Sequence, residues 1–363
     1  MNNIIEHFAI QGEITEIKEC HTGHINSTYF VSTFDGNVKR KFVLQKINTY
    51  VFKNPDHLMS NIFGVTEYLA EVIKSEGGDY ERGTLHFVRT NSGNSYYRDS
   101  DGTCWRMYVF VDDVISYQLA ETPEMFQTSG YAFGEFQKRL SKYDAAKLYE
   151  TIPNFHNTKK RFERFCDVVN QCKIAERLEK AKDEILFIKE RKEMCGIIVD
   201  KIESGEIPVR VTHNDTKLNN ILIDKSTNKA LCIVDLDTIM PGSALYDFGD
   251  AIRTGASNAL EDEKDLTKVY FREEMFEAYA KGYLLGSDNS LTSLEIDLLP
   301  YGAYIMTFEQ AIRFLTDYLE DDVYYKVEYN DHNLIRTRNQ LKLICDIENK
   351  MDKFKSIISN LTK

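Results

Sequence analysis

His213, Asp215, Lys217 and Asn220 crowd into one short stretch, Val211-Thr212-His213-Asn214-Asp215-Thr216-Lys217-Leu218-Asn219-Asn220, and the apolar run Leu231-Cys232-Ile233-Val234 then ends on Asp235. The order is H-x-D-x-K-x-x-N, followed by a buried-strand pattern and a second carboxylate. Phosphoryl transfer calls for this set: a carboxylate to orient and deprotonate an attacking hydroxyl, and an Asn with a further Asp to hold magnesium on the nucleotide phosphates. Asp215 is the expected base. Lys217 is placed to neutralise the transferring phosphoryl group. Asn220 and Asp235 offer the hard oxygen donors that magnesium takes. Asp237 would share the face of Asp235 in extended chain, as a further ligand or as a partner for Lys217. His213 reads as structural, a buried imidazole that bonds backbone and holds the loop's shape.

A second carboxylate motif needs care. Asp247-Phe248-Gly249 spells the metal-binding motif of protein kinases, but it follows the turn residues Pro241-Gly242 rather than an apolar strand. Asp247 is therefore expected to cap a helix start, and Asp250 to brace the loop that carries Asp215.

These side chains must be held by elements that the pattern also suggests. Tyr29–Phe34 and Lys41–Lys46 flank Asp35-Gly36-Asn37 and read as a hairpin. Leu58, Ile62, Val65, Leu69 and Val72 recur at helical spacing, and Cys104–Val111 reads as a buried strand. Helical patterns take over from about Thr122, through a charged stretch from Phe155 to Ile202 that suits a solvated face. A last helical region, from Leu291 to Thr362, carries the stripe Tyr301, Ile305, Phe308, Ile312 and Leu315. The expected architecture is α+β and two-lobed: a strand-rich lobe with one helix over residues 1–112, and a mostly helical lobe over 113–363. The connector between them contributes Tyr108 and Phe110 as expected nucleotide contacts.

Nucleotide grip is written less clearly. Gly23-His24-Ile25-Asn26 precedes a strand and could fold over phosphates, with Gly23 and Asn26 as contacts, but it lacks the G-x-G-x-x-G pattern. Val43-Leu44-Gln45-Lys46 resembles the V-A-I-K strand of kinases with Gln45 at the lysine's place and Lys46 one residue late. A one-residue shift flips a strand side chain to the other face. So either Gln45 meets phosphate as a neutral donor, or Lys46 does through a bulge.

Composition excludes several classes. A net charge of −12 over 363 residues argues against nucleic acid as a partner. No apolar run is long enough to span a membrane, and the first residues, with Glu6 and His7, lack the pattern of a signal peptide. The seven cysteines are scattered without a C-x-x-C pair, which suits reduced thiols in a cytoplasm. Nothing suggests a coiled-coil interface, so a monomer is expected.

Val211–Asn220 together with Ile233–Gly242 resembles the aminoglycoside phosphotransferase and choline kinase superfamily, and within it the N-acetylhexosamine 1-kinases. The likeness extends to Asp247–Asp250, Gly255-Ala256-Ser257 with Leu260–Leu266, Arg313-Phe314-Leu315 with Asp317–Glu320, Gly23–Asn26, and Asn333-Leu334 with Arg336-Thr337-Arg338. The resemblance implies a protein-kinase-like fold, ATP and magnesium as cofactors, and phosphorylation of the anomeric hydroxyl of N-acetylglucosamine or N-acetylgalactosamine. It assigns O1 to Asp215, the sugar to Arg313, and lesser contacts to Tyr324 and His24. Two alternatives stand beside it. One is a kinase for aminoglycosides or choline, with Asp317, Glu320, Asp321 and Asp322 near Tyr324 as a cation cage. The other is a catalytically dead fold that only binds nucleotide.

Overall fold

The computed structural model describes residues 1–20 and 26–363. Gly23 and His24 lie outside the described residues. Packing divides the chain into two units, neither continuous in sequence: Met1–Ser116 with Lys142–Pro153 and Ile221–Pro241, and Tyr117–Ser141 with Asn154–Asn220 and Gly242–Lys363. A single cut after residue 112 therefore does not follow the packing. The segment that carries Asp235 belongs with the N-terminal sheet. No described helix is long and apolar enough to cross a membrane.

The first unit is built on an antiparallel sheet. Its strands are β1 (Glu13–Cys20), β2 (Ser27–Phe34), β3 (Lys39–Lys46), β4 (Phe87–Val88), β5 (Tyr97–Arg98) and β6 (Cys104–Val109), in the order β1-β2-β3-β6-β4 with β5 also on β6. The β2–β3 hairpin turns where the sequence predicts. Gly36 takes a positive φ of 94°, and Asp35 Oδ1 accepts the backbone N–H groups of Asn37 and Val38 at 3.0 and 2.8 Å.

Strand alternation then sorts the side chains by face. Val31, Phe42, Leu44, Trp105 and Met107 pack with Ile5 and Phe8 in one core. Burying such side chains is worth roughly 1.5–3 kcal/mol each, enough to fix the register. Helix α1 (Pro55–Ser75) starts at Asn54, whose side chain accepts from His57 N, and it buries Leu58, Ile62, Val65 and Leu69.

The same unit contains a small sheet of β7 (Val114–Ile115), β8 (Ile221–Asp224) and β9 (Ala230–Ile233), in the order β9-β8-β7. Val114 pairs with Asp224, and Arg82 donates to Asp224 Oδ2 at 2.7 Å. This pairing ties Ile221–Pro241 to the N-terminal unit. Cys232 on β9 is a small core residue, its thiol pushed up to about 12 by burial.

The second unit is helical: α2 (Pro123–Arg139), α3 (Thr158–Gln171), α4 (Ala244–Gly255), α5 (Glu273–Ser287), α6 (Ser293–Leu319) and α7 (His332–Leu361), with shorter turns between them. Thr122 caps α2, Ser243 caps α4, and Thr292 with Glu295 forms a capping box on α6. The cap of α4 is thus Ser243 rather than Asp247. In the stripe on α6, Ile305, Phe308, Ile312 and Leu315 are buried. Helices α2 and α5 meet through facing glycines. A methyl on Gly130 would collide with the Tyr279 carbonyl, and one on Gly282 with that of Gln127. Backbones can approach this closely only where no Cβ intervenes.

Candidate active site

In the helical unit the loop after the short strand Arg210–Thr212 is fixed mainly by α4. Asp247 is fully buried. Its Oδ2 accepts from His213 N and Gln137 Nε2, each at 3.0 Å, and its Oδ1 accepts from Asn214 N at 2.8 Å. Thr216 donates its N–H to Asp250 Oδ2 at 3.1 Å and its hydroxyl to the Asp247 carbonyl at 2.6 Å. His213 is buried at the edges of Phe133 and Phe136, and its Nδ1 accepts from Asp215 N at 3.3 Å. Asn214 takes a φ of 64°, in the left-handed region that Asn tolerates. Asp250 therefore braces the loop's backbone as its place in the sequence suggested, and Asp247, expected as a helix cap, acts on that backbone as well.

This bracing presents three side chains. Lys217 Nζ lies 2.9 Å from Asp215 Oδ1. Asn220 Nδ2 donates to the Asp215 carbonyl at 2.8 Å and to its Oδ2 at 3.2 Å, so these two bonds do not use the Asn220 Oδ1. Desolvation opposes the charge on Lys217, but Asp215 and Asp250 outweigh it and raise its pKa above the ordinary lysine value. The charges continue into α4. Arg253 pairs with Asp250 at 3.2 Å and with Glu261 at 2.6 Å.

Arg313 on α6 belongs to the same unit. Its guanidinium lies 5.5 Å from the ring of Phe155, 5.8 Å from Tyr325 and 6.0 Å from Tyr324. Burial works against its charge, yet Tyr325 and Glu309 hold its pKa above the ordinary arginine value, with Arg253 opposing as a like charge. Glu309 is itself engaged by His156 Nδ1 and Thr158 Oγ1, both at 2.9 Å. Tyr324 is 63% exposed.

The carboxylates nearby are committed to structure. Asp317 accepts the N–H groups of Tyr324 and Tyr325 at 2.7 and 2.9 Å. Asp321 and Asp322 pair with Arg177 at 3.0 and 2.7 Å, and Glu320 pairs with Arg164.

The sheet unit holds a cavity of about 170 Å³. Two cross-strand rows on one face contribute side chains to it. The polar row is Thr28, Gln45 and Arg106, opposite one another on β2, β3 and β6. The next row along that face pairs Val43 with Tyr108, and Tyr108 with Phe87. Asn26, Leu85, Val234, Asp235 and Leu236 also line it.

The register puts Gln45 and Lys46 on opposite faces. β3 and β6 pair without a break from Phe42 to Lys46. No bulge rescues Lys46, which shares the face of Leu44 and is exposed; Gln45 lines the cavity. Phe110 is not among the lining residues and packs edge-on against Phe30 at 5.6 Å.

Asp235 sits just past β9 at φ 59°, ψ 57°, and residues 236–238 form a 3₁₀ turn. The chain is therefore not extended here, and Asp237 does not follow strand alternation. It is turned inward, where its Oδ1 pairs with Arg106 Nη1 and its Oδ2 accepts from Asn26 Nδ2 at 2.6 Å. Its partner is an arginine that sequence reasoning passed over, and both its oxygens are engaged by protein. The signal for Arg106 was present: a lone charge in the middle of the apolar run Cys104-Trp105-Arg106-Met107-Tyr108-Val109, where burial demands a partner.

A model of the phosphotransferase enzyme family matches residues 16–288 of the chain. Solved structures share the fold at low identity. A choline kinase from Cryptosporidium parvum Iowa II aligns over 96% of this chain and 93% of its own, with 14% identity and a TM-score of 0.56. An aminoglycoside phosphotransferase from Alicyclobacillus acidocaldarius covers 100% of this chain and 95% of its own, at 11% identity and 0.51. A spectinomycin phosphotransferase in complex with ADP and spectinomycin covers 94% of each chain, at 11% identity and 0.52.

Proposed function

Because the chain belongs to the phosphotransferase enzyme family, we propose that it moves the γ-phosphoryl group of ATP to the anomeric hydroxyl of an N-acetylhexosamine, giving the sugar 1-phosphate and ADP. Asp215 accepts the hydrogen bond of the attacking hydroxyl and takes its proton as the new O–P bond forms and the bond to the ADP oxygen breaks. Such assistance contributes about 10²–10⁴-fold. Lys217, 2.9 Å from Asp215, spreads positive charge over the transferring group. The Asn220 Oδ1 and the Asp235 carboxylate are the donors assigned to magnesium, whose chemistry is to neutralise charge on the nucleotide phosphates. ADP in the spectinomycin phosphotransferase complex supports a nucleotide as phosphoryl donor.

The neutral acceptor rests on one observation: Arg313 stands among Phe155, Tyr324 and Tyr325, while the carboxylates around it are committed elsewhere. Choline and aminoglycosides are cations and need unpaired carboxylates or an aromatic cage without a competing cation. A neutral acetamido sugar needs aimed hydrogen-bond donors and a ring to lie against. Arg313 and Tyr324 offer both.

An ADP-release assay with ATP and magnesium across N-acetylgalactosamine, N-acetylglucosamine, glucose, choline and kanamycin tests the reading. Turnover confined to the acetamido sugars, with a phosphatase-labile 1-phosphate as product, is expected. Turnover with choline or kanamycin instead would overturn the sugar assignment and keep the chemistry.

A further inference from the structure

We propose that Arg106 is the cation that grips the nucleotide phosphates, supplied from β6 in place of a lysine on β3. The inference rests on the nucleotide-dependent reading above. Kinases meet phosphate charge with a lysine on the strand where this chain has Gln45, and Lys46 is on the wrong face. The missing charge is directly across the ladder. Gln45 and Arg106 are register partners, and Gln45 Oε1 accepts from Arg106 Nε at 3.0 Å and Nη2 at 2.8 Å. Gln45 Nε2 in turn donates to Thr28 Oγ1 at 3.2 Å, which fixes the amide's orientation. Asp237 pairs with Nη1.

These contacts engage three of the five N–H groups of a guanidinium, and Arg106 is among the residues that line the cavity. Gln45 adds no charge; it aims the arginine. Asp237 offsets the cost of burying it, as an ion-paired carboxylate does for the lysine in protein kinases. The adjoining row, with Phe87 and Tyr108, is apolar and suits a base. Rows on one face of a strand are two residues apart, roughly 7 Å, about the distance a ribose sets between a base and the first phosphate.

Calorimetry with ADP and with adenosine, in the presence of magnesium, on wild type, Arg106→Gln and the double variant Arg106→Gln/Asp237→Asn tests this. The double variant leaves no unpaired buried carboxylate, so it keeps the question open to measurement should the single variant fail to fold. The expected result is an ADP affinity about 10- to 100-fold weaker, with adenosine affinity within about twofold of wild type. ADP binding as tight as wild type in the folded variants would overturn the proposal. So would equal weakening of ADP and adenosine, which would mark Arg106 as purely structural. Failure of wild type itself to bind ADP would instead remove the nucleotide reading on which the proposal stands.

Discussion

Asp247 accepts the backbone N–H of Asn214 at 2.8 Å from full burial, so the carboxylate of the D-F-G triplet is spent on the shape of the loop that presents Asp215. A metal ligand would need its oxygens turned to a cleft. Here both are occupied by the loop and by Gln137. Both oxygens accept N–H groups here, and an Asn amide would set an N–H donor against one of those donors. Asp247→Asn should lower stability by about 2 kcal/mol or more and reduce activity with it, as urea denaturation read beside the turnover assay would show. Unchanged stability would mean the bracing is dispensable.

Asp215 is the opposite case, partly exposed and bonded to Lys217 and Asn220 at the loop's surface. Asp215→Asn keeps size and most contacts. Turnover should fall about 10²- to 10⁴-fold, with the melting temperature shifted by no more than about 2 °C and ADP binding retained. A variant that kept most of its turnover would place the base elsewhere.

The glycine of the same triplet is a packing residue. A methyl on Gly249 would run into the Gly302 carbonyl on α6. Gly249→Ala should cost about 1–3 kcal/mol through forced separation of α4 and α6, visible as a lower denaturation midpoint, even though alanine is the better helix former.

Asp250 gives a pH signature. Desolvation pushes its carboxyl up, but Arg253 and Lys217 overcome this and hold it below the ordinary carboxylate range. A depressed folded-state value means the stabilisation is present above the unfolded value of about 3.9 and is lost as pH falls through the folded one. The stability gap between wild type and Asp250→Asn should therefore be constant from about pH 5 to 7 and shrink below about pH 4. A gap that grew on acidification would contradict the pairing.

Arg313→Ala should raise the KM for the sugar about 10- to 100-fold while leaving that for ATP nearly unchanged, measured by initial rates with each substrate varied in turn. An equal rise in both would remove Arg313 from acceptor recognition.

What the sequence determined by itself was chemical and local. Asp215, Lys217 and Asn220 were legible because they sit on one short loop, where spacing alone fixes which side chains can meet. The β2–β3 hairpin and α1 followed from a turn signal and a helical period. Tertiary structure decided what depends on partners distant in sequence. Gln45 and Arg106 are 61 residues apart and meet only through strand register, which also sends Lys46 to the wrong face. Asp237 left its expected face because Asp235 takes a left-handed turn, and a partner 131 residues away (237 − 106) drew it inward. The boundary after residue 112 dissolved for the same reason: β8 and β9 pair with β7, and hydrogen-bonded ladders gather segments by register rather than by order along the chain.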